Sequence, residues 1–344
     1  VFFIKGKQDM TKLLMIANPV AGRHPTARPW LELEQELVKH GVDVTIRETT
    51  QSFDATLIAA AEGSEYDFVC ACGGDGTLSE VVSGLMRLEE RPLLAFLPIG
   101  TTCDMAKSFD LPSEPHLVAE TILYGPSFAI DIGAISGSEV FIRQDLPAGV
   151  APAEADRLPH HFTYVSSFGA FSETSYATSH NLKKSLGYFA YVLSGIKSLS
   201  SIESLRVRIT RDSRVSEESL IFGAVANSSS IGGVLEIDGA RFDDGKFELL
   251  LVRTPENILQ IAPMLKNLLS NNSDPLIIRE LVSDCEFDFL DDMNSLTVDG
   301  EYGGTRRNWH FLNKPRSIKL KVPELPHPPS HVDTVKDARA EDKD

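Results

Sequence analysis

Cys72-Gly73-Gly74-Asp75-Gly76-Thr77 decides how this chain is read. Before it runs an apolar stretch, residues 68–71, with the composition of a buried strand. After it, Leu78, Val81, Val82 and Leu85 recur at i, i+3, i+4 and i+7, the spacing of one helix face. Glycines at a strand-to-helix junction let the backbone approach an anion closely, and the new helix aims its free N–H groups and positive dipole end at it. An ordinary glycine turn is the competing reading, and Thr77-Leu78-Ser79-Glu80 also has the spacing of a capping box. No Gly-Lys-Ser/Thr sequence is present and the glycines do not follow the dinucleotide pattern, so a phosphate here would be held without a Walker lysine.

Working outward, the same strand–helix alternation fills residues 12–133. Residues 13–17 and 42–46 read as strands, Trp30, Leu33, Leu37 and Val38 as one helix face, residues 55–61 as a helix, and residues 93–97 as a further strand. Such alternation predicts parallel strands with crossover helices on both faces, a doubly wound α/β nucleotide-binding domain. Asn18-Pro19-Val20-Ala21-Gly22 ends the first strand, and Leu97-Pro98-Ile99-Gly100-Thr101-Thr102-Cys103-Asp104 follows the fourth. In an open α/β sheet these turns gather with the glycine loop at the carboxyl edge, where ligands bind.

Beyond residue 133 the texture changes. Residues 162–170, 205–211, 218–226, 246–253 and 286–290 are rich in Val, Ile, Leu and Phe, and only 183–199 and 256–270 keep a helical period. The expectation is a β-sandwich-like second domain over residues 134–304, with residues 143–161 as a long surface loop and residues 323–344 as a disordered tail.

Composition limits the partners. The 344 residues carry 33 Lys and Arg against 49 Asp and Glu, a net charge of −16, which argues against nucleic acid and against a general polybasic grip on a bilayer. No apolar run reaches the roughly 20 residues needed to span a membrane, and Val1-Phe2-Phe3-Ile4 is too short for a signal core. Cys70, Cys72, Cys103 and Cys285 lack zinc or redox spacing, so the expected setting is cytoplasmic. Cys70 and Cys72 read as buried core, His160-His161 as solvated loop, and Arg206, Arg208, Arg211 and Arg214 as a solvated strand face rather than a lipid-facing basic patch.

Seven ordered motifs carry a resemblance. Asn-Pro-x-x-Gly at 18–22, Gly-Gly-Asp-Gly-Thr at 73–77 and Leu-Pro-x-Gly-Thr at 97–101 come first. Asp131-Ile132-Gly133, Gly187-Tyr188-Phe189-Ala190-Tyr191, Phe242-Asp243-Asp244-Gly245 and Val298-Asp299-Gly300-Glu301-Tyr302-Gly303-Gly304 follow. Together they resemble the diacylglycerol kinase catalytic-domain family, most closely its soluble bacterial members, with sphingosine kinases and NAD kinases as more distant relatives. The resemblance implies an α/β domain, then a β-rich domain, with residues 305–322 returning to the first, and ATP in the cleft between them. It implies nucleotide contacts from Asn18, Pro19, Val20, Ala21, Gly22, Thr49, Gly73, Gly74, Asp75, Gly76, Thr77, Leu78, Ser79, Glu80 and Thr101. Glu301 is the implied base for a lipid hydroxyl, with Asp75 placing Mg²⁺ and the phosphates. A structural Mg²⁺ site is implied at the Asp244 carboxylate with the carbonyls of Arg241 and Lys246.

The implied reaction is ATP- and Mg²⁺-dependent phosphorylation of diacylglycerol, with transient peripheral contact at the inner face of the membrane and a homodimer as the expected assembly. Another lipid alcohol (a sphingoid base, ceramide or phosphatidylglycerol), NAD kinase chemistry and a non-catalytic sensor are the alternatives. NAD kinases are also expected to carry an Asn-Glu pair, and no Asn-Glu dipeptide occurs here. One departure from the family stands at Cys103, where an asparagine is usual; residues 143–161 also look longer than the family's loop.

Overall fold

The computed structural model describes residues 10–22, 28–100, 103–137, 160–169, 203–228, 230–231, 235–236 and 240–325. The expected helix at 183–199, the motif at 187–191, most of the 143–161 loop and the tail beyond 325 lie outside the described residues.

The first half alternates as expected: β1 (Lys12–Ala17), α1 (Pro29–Lys39), β2 (Asp43–Glu48), α2 (Asp54–Glu62), β3 (Phe68–Gly73), α3 (Asp75–Leu85), β4 (Leu93–Pro98), α4 (Asp104–Ser108) and α5 (Pro115–Tyr124). Its parallel strands run in the order β2-β1-β3-β4. The order reverses between β1 and β3, which opens a crevice at their carboxyl ends. Period-two alternation sends Leu14 and Ile16 to one face of β1, and Leu13, Met15 and Ala17 to the other. The first face packs under α2 and α3. The second packs under α1 and α5 through Trp30, Leu33, Leu37, Val118 and Ile122. The sheet is covered on both sides, so its strands can be apolar throughout.

The second half is rich in strands: β5 (Ser127–Ser136), β6 (His161–Phe162), β7 (Val165–Gly169), β8 (Leu205–Arg211), β9 (Arg214–Ala226), β10 (Ser230–Ile231), β11 (Leu235–Glu236), β12 (Phe247–Arg253), β13 (Ile277–Val282), β14 (Asp284–Phe289), β15 (Asn294–Val298), β16 (Glu301–Arg306) and β17 (Asn308–Lys321). Among the described residues of this half, one amphipathic helix, α6 (Ile261–Leu269), covers part of the sheet, preceded by a 3₁₀ turn at Ile258–Gln260. The sheet curls over itself: Phe168 of β7 packs edge-on against Phe287 of β14, ring centroids 4.9 Å apart, although β9 and β8 separate their strands. Its inner face is a core built around Phe162, Phe247, Trp309 and Phe311.

β17 joins the halves. It pairs antiparallel with β5 and β14, and beside β4 it runs parallel at Leu320↔Leu94. The closing segment therefore returns to the first sheet as expected, and one hydrogen-bonded path runs from β2 to β16.

Candidate active site

Three loops are stitched together at the carboxyl edge of β1, β3 and β4. The Asn18 N–H donates to the Cys72 carbonyl at 2.9 Å, and the Ile99 and Gly100 N–H groups donate to the Gly73 carbonyl at 2.9 and 3.1 Å. The Asn18 side-chain amide donates to the Thr77 hydroxyl at 3.2 Å, while its Oδ1 accepts from the Val20 N–H at 3.1 Å. The backbones nearly touch here. A Cβ on Gly100 would meet the Gly74 Cα at 2.5 Å, and one on Gly22 would meet the Ile99 carbonyl oxygen at 2.5 Å. Thr49 sits at the same edge, its N–H donating to the Ala17 carbonyl at 2.9 Å.

Asp75 opens α3 and faces two other carboxylates. Burial first, then the charges of Asp104 and Asp299, push its pKa up to about 6, against the pull of the Met105 and Asp104 N–H groups. Its Oδ1 is buried without a partner. Asp104 is also buried and pairs with Lys107 at 3.2 Å. A buried, underpartnered acid among other acids calls for a proton or a cation.

Asp299 reaches this edge from the second half. Asp299 and Gly300 have φ of +47° and +90°, the left-handed pair of a type I′ hairpin turn between β15 and β16. The Asp299 carboxylate accepts from the N–H groups of Thr163, Tyr164 and Val165 at 2.9, 2.9 and 3.0 Å, and from the Thr163 hydroxyl at 3.0 Å. The Ser79 hydroxyl also bonds it, which ties the hairpin to α3. Glu301 is the first residue of β16, directly after this turn.

A second polar junction surrounds residues 241–248. Asp131, on β5, accepts from the Gly245 N–H at 2.6 Å and the Arg316 N–H at 2.8 Å. Asp244 accepts from the Lys246 N–H at 3.0 Å, and the Asn313 amide donates to the Lys246 carbonyl at 3.1 Å. Burial pushes Glu248 up to about 8, with Asp244 adding to the shift. Oxygens of Asn227, Glu248 and Asn313 are buried there without partners. Hard oxygen donors with unused lone pairs suit Mg²⁺, so this junction fits the metal expected at Asp244 and the two carbonyls.

Comparisons with known proteins give the family and the fold. Residues 12–135 match the family described as "Diacylglycerol kinase catalytic domain". The diacylglycerol kinase of Bacillus subtilis (strain 168) is 29% identical over 92% of this chain and 97% of its own. That of Staphylococcus carnosus (strain TM300) is 30% identical over 90% of this chain and 94% of its own. This chain belongs to the diacylglycerol kinase family. Two crystal structures from Bacillus anthracis str. Sterne share the fold, with TM-scores of 0.71 at 22% identity and 0.63 at 21%. Each covers 92% of this chain and 98% of its own. Membership makes the protein a lipid kinase, and a kinase takes a nucleoside triphosphate as phosphoryl donor.

The structure divides the expected nucleotide residues. Asn18 to Gly22, Thr49, Gly73 to Thr77 and Ser79 share one edge. Leu78 does not present its side chain there: it is buried in the core with Val81 and Leu85. Glu80 is turned to α2, where its carboxylate accepts from the Phe53 N–H at 2.9 Å and the Ala55 N–H at 3.3 Å. Thr101 lies outside the described residues. The capping-box reading is corrected as well, because α3 begins at Asp75 with Gly74 as its N-cap. Thr77 is thus already inside the helix, and the Glu80 carboxylate serves the start of α2.

Other expectations are settled by their surroundings. Cys103 is buried, with φ of +46°, and its thiol is pushed up to about 12 by burial and then by Asp75. It packs in the core beside Met105 and Phe109. Cys70 and Cys72 are buried on one face of β3, their sulfurs 3.8 Å apart. His161 is a strand residue and not a solvated loop residue: it pairs with Ala134, and burial with nearby His160 and Arg87 pushes its pKa down to about 4. Arg206, Arg208, Arg211 and Arg214 are each matched by a carboxylate, from Asp291, Glu217 and Glu280, so they form no basic patch.

The roles of Asp104, Asp299 and Glu248 were missed at the level of sequence. Asp299 stood inside a quoted motif, yet its hydrogen bonds cross more than 130 positions of chain. Among the described residues no helix is long and apolar enough to cross a membrane.

Proposed function

We propose that this protein transfers the γ-phosphoryl group of ATP to the free hydroxyl of diacylglycerol, giving phosphatidate, with Mg²⁺ required. The observation that carries the reading is the meeting of Asp75 and the Gly74–Gly100 contact with the Asp299–Glu301 hairpin, across the Ser79–Asp299 hydrogen bond. A glycine-lined edge beside the N-terminus of an eleven-residue helix suits a polyphosphate. Mg²⁺ would neutralise phosphate charge, and Asp75 would be held ionised by it. Glu301 would accept the hydroxyl proton as the lipid oxygen bonds to phosphorus and the bond to the ADP oxygen breaks. Asp244, with the carbonyls of Arg241 and Lys246, would hold a second, structural Mg²⁺ under the β17 bridge. The curated relatives are named as diacylglycerol kinases, which supports this lipid over its rivals.

Incubation with γ-labelled ATP, Mg²⁺ and mixed micelles carrying one acceptor at a time tests the proposal. Label in phosphatidate is expected. Transfer only to a sphingoid base, ceramide or phosphatidylglycerol would refute the choice of lipid. Transfer only to NAD, or to nothing, would refute the reaction.

A further inference from the structure

The stretch 257–273 carries a single charged residue, Lys266, where the composition of the chain would place about four. It contains α6, whose inner side sends Ile261, Met264, Leu265 and Leu268 into the core against Tyr164, Val165, Phe222, Leu250 and Val252. The outer side is apolar too. Leu259 is 81% exposed, and Ile258, Ala262, Pro263 and Leu269 are exposed beside it. Arg279 of β13 closes the C-terminal end, donating to the Leu268 carbonyl at 3.3 Å and the Asn272 carbonyl at 3.1 Å. The nearest acids in sequence flank the face: Glu256 precedes it, and Asp274 is engaged by the Asn267 amide and the Leu276 N–H.

We propose that this outer face of α6 and the 3₁₀ turn before it, with Leu259 and Leu269 as apolar anchors and Lys266 and the neighbouring Arg279 as cations, docks the protein on an anionic lipid bilayer. The inference rests on the reading of the substrate as a membrane lipid. A net charge of −16 repels an anionic surface in general, so docking requires a local face without carboxylates. Leucines alternating with a lysine on a short helix are the chemistry of an interfacial element, not of a spanning one. Charge also argues against a second copy as the occupant, because a two-fold contact here would set Lys266 and Arg279 against their own kind. The face is tied to the site through one packed layer. Tyr164 and Val165, which α6 covers, donate the backbone hydrogen bonds that hold Asp299.

Co-sedimentation with vesicles, without nucleotide, tests the surface independently of turnover. The wild-type chain should bind vesicles of equal parts phosphatidylglycerol and phosphatidylcholine. Leu259→Asp with Leu269→Asp should weaken that binding by about tenfold or more. Lys266→Gln should weaken it about fivefold and leave binding to pure phosphatidylcholine unchanged. Val38→Asp and Leu57→Asp, exposed apolar positions on α1 and α2, serve as controls that keep wild-type binding. Melting curves confirm that each variant is folded. A wild-type chain that stays in the supernatant would overturn the proposal, as would a folded leucine double variant that sediments like wild type. So would a double variant that turns a dimer into a monomer with vesicle binding intact. Vesicle binding without any phosphoryl transfer would instead count against the diacylglycerol reading and leave the docking face standing.

Discussion

Replacing Asp75 with asparagine should make the unliganded protein more stable while disabling it. The carboxylate is pushed from 3.8 up to about 6 in the folded chain, mainly by burial and by Asp104 and Asp299. At 1.36 kcal/mol per unit, keeping it ionised in the fold costs about 3 kcal/mol at neutral pH. An amide of the same shape removes that cost. It also weakens the bonds from the Asp104 and Met105 N–H groups, which are stronger to a charged acceptor, so a net gain of about 1–2 kcal/mol is expected.

The pH dependence gives the prediction its signature. The folded pKa is raised, so between pH 3.8 and about 6 the native state holds a proton that the unfolded chain has released. Wild-type stability therefore falls as pH rises through that window and is penalised in full above it. The advantage of Asp75→Asn should be near zero at pH 4 and complete by pH 7. Urea unfolding of both proteins at pH 4.5, 6 and 8, at matched m-values, reads the difference directly. Added Mg·ATP should reverse the order, because only the wild type gains the full ligand stabilisation. A folded Asp75→Asn that is less stable than wild type at pH 8, or whose advantage does not change with pH, would refute the electrostatic account.

Four further outcomes follow from the same geometry. Gly100→Ala drives a Cβ to 2.5 Å from the Gly74 Cα, so nucleotide binding by calorimetry should weaken at least tenfold, and extra Mg²⁺ should not rescue it. Glu301→Gln should retain the wild-type melting point and nucleotide binding while turnover falls about 10²–10⁴-fold, the usual worth of a general base. Asp299→Ala leaves the Thr163, Tyr164 and Val165 N–H groups without their acceptor, and denaturation should show a loss of roughly 2–4 kcal/mol. Cys103→Asn puts a residue that tolerates the left-handed region at φ of +46°, so melting should hold or rise; a fall would mean that burial of the amide outweighs the relief of strain.

The parallel half of the fold was legible from the chain because its information is local. Apolar runs at strand length, a 3.6-residue period and glycines at the junctions each lie within a dozen positions, and they place the edge of β1, β3 and β4 before any coordinates. The order β2-β1-β3-β4 and the meeting of Gly74 with Gly100 come from the tertiary structure. Seven spaced motifs added the family and, with it, the expectation that Glu301 works at that edge.

What the sequence could not decide is how each side chain is used, since that depends on partners remote in the chain. Thr77 and Glu80 have the spacing of a capping box, yet the N-cap is Gly74, three residues earlier, and Glu80 caps α2 instead. His160-His161 reads as loop because nothing local shows that β5 offers Ala134 as a partner. The raised pKa of Asp75 comes first from burial and then from two carboxylates that α4 and a hairpin more than 200 residues away bring to it. Local patterning determined the elements and the glycine-lined edge of β1, β3 and β4. Tertiary packing alone decided which acids are desolvated, which carry charge, and which are spent on holding the fold, because burial and Coulomb fields act through space and not along the chain.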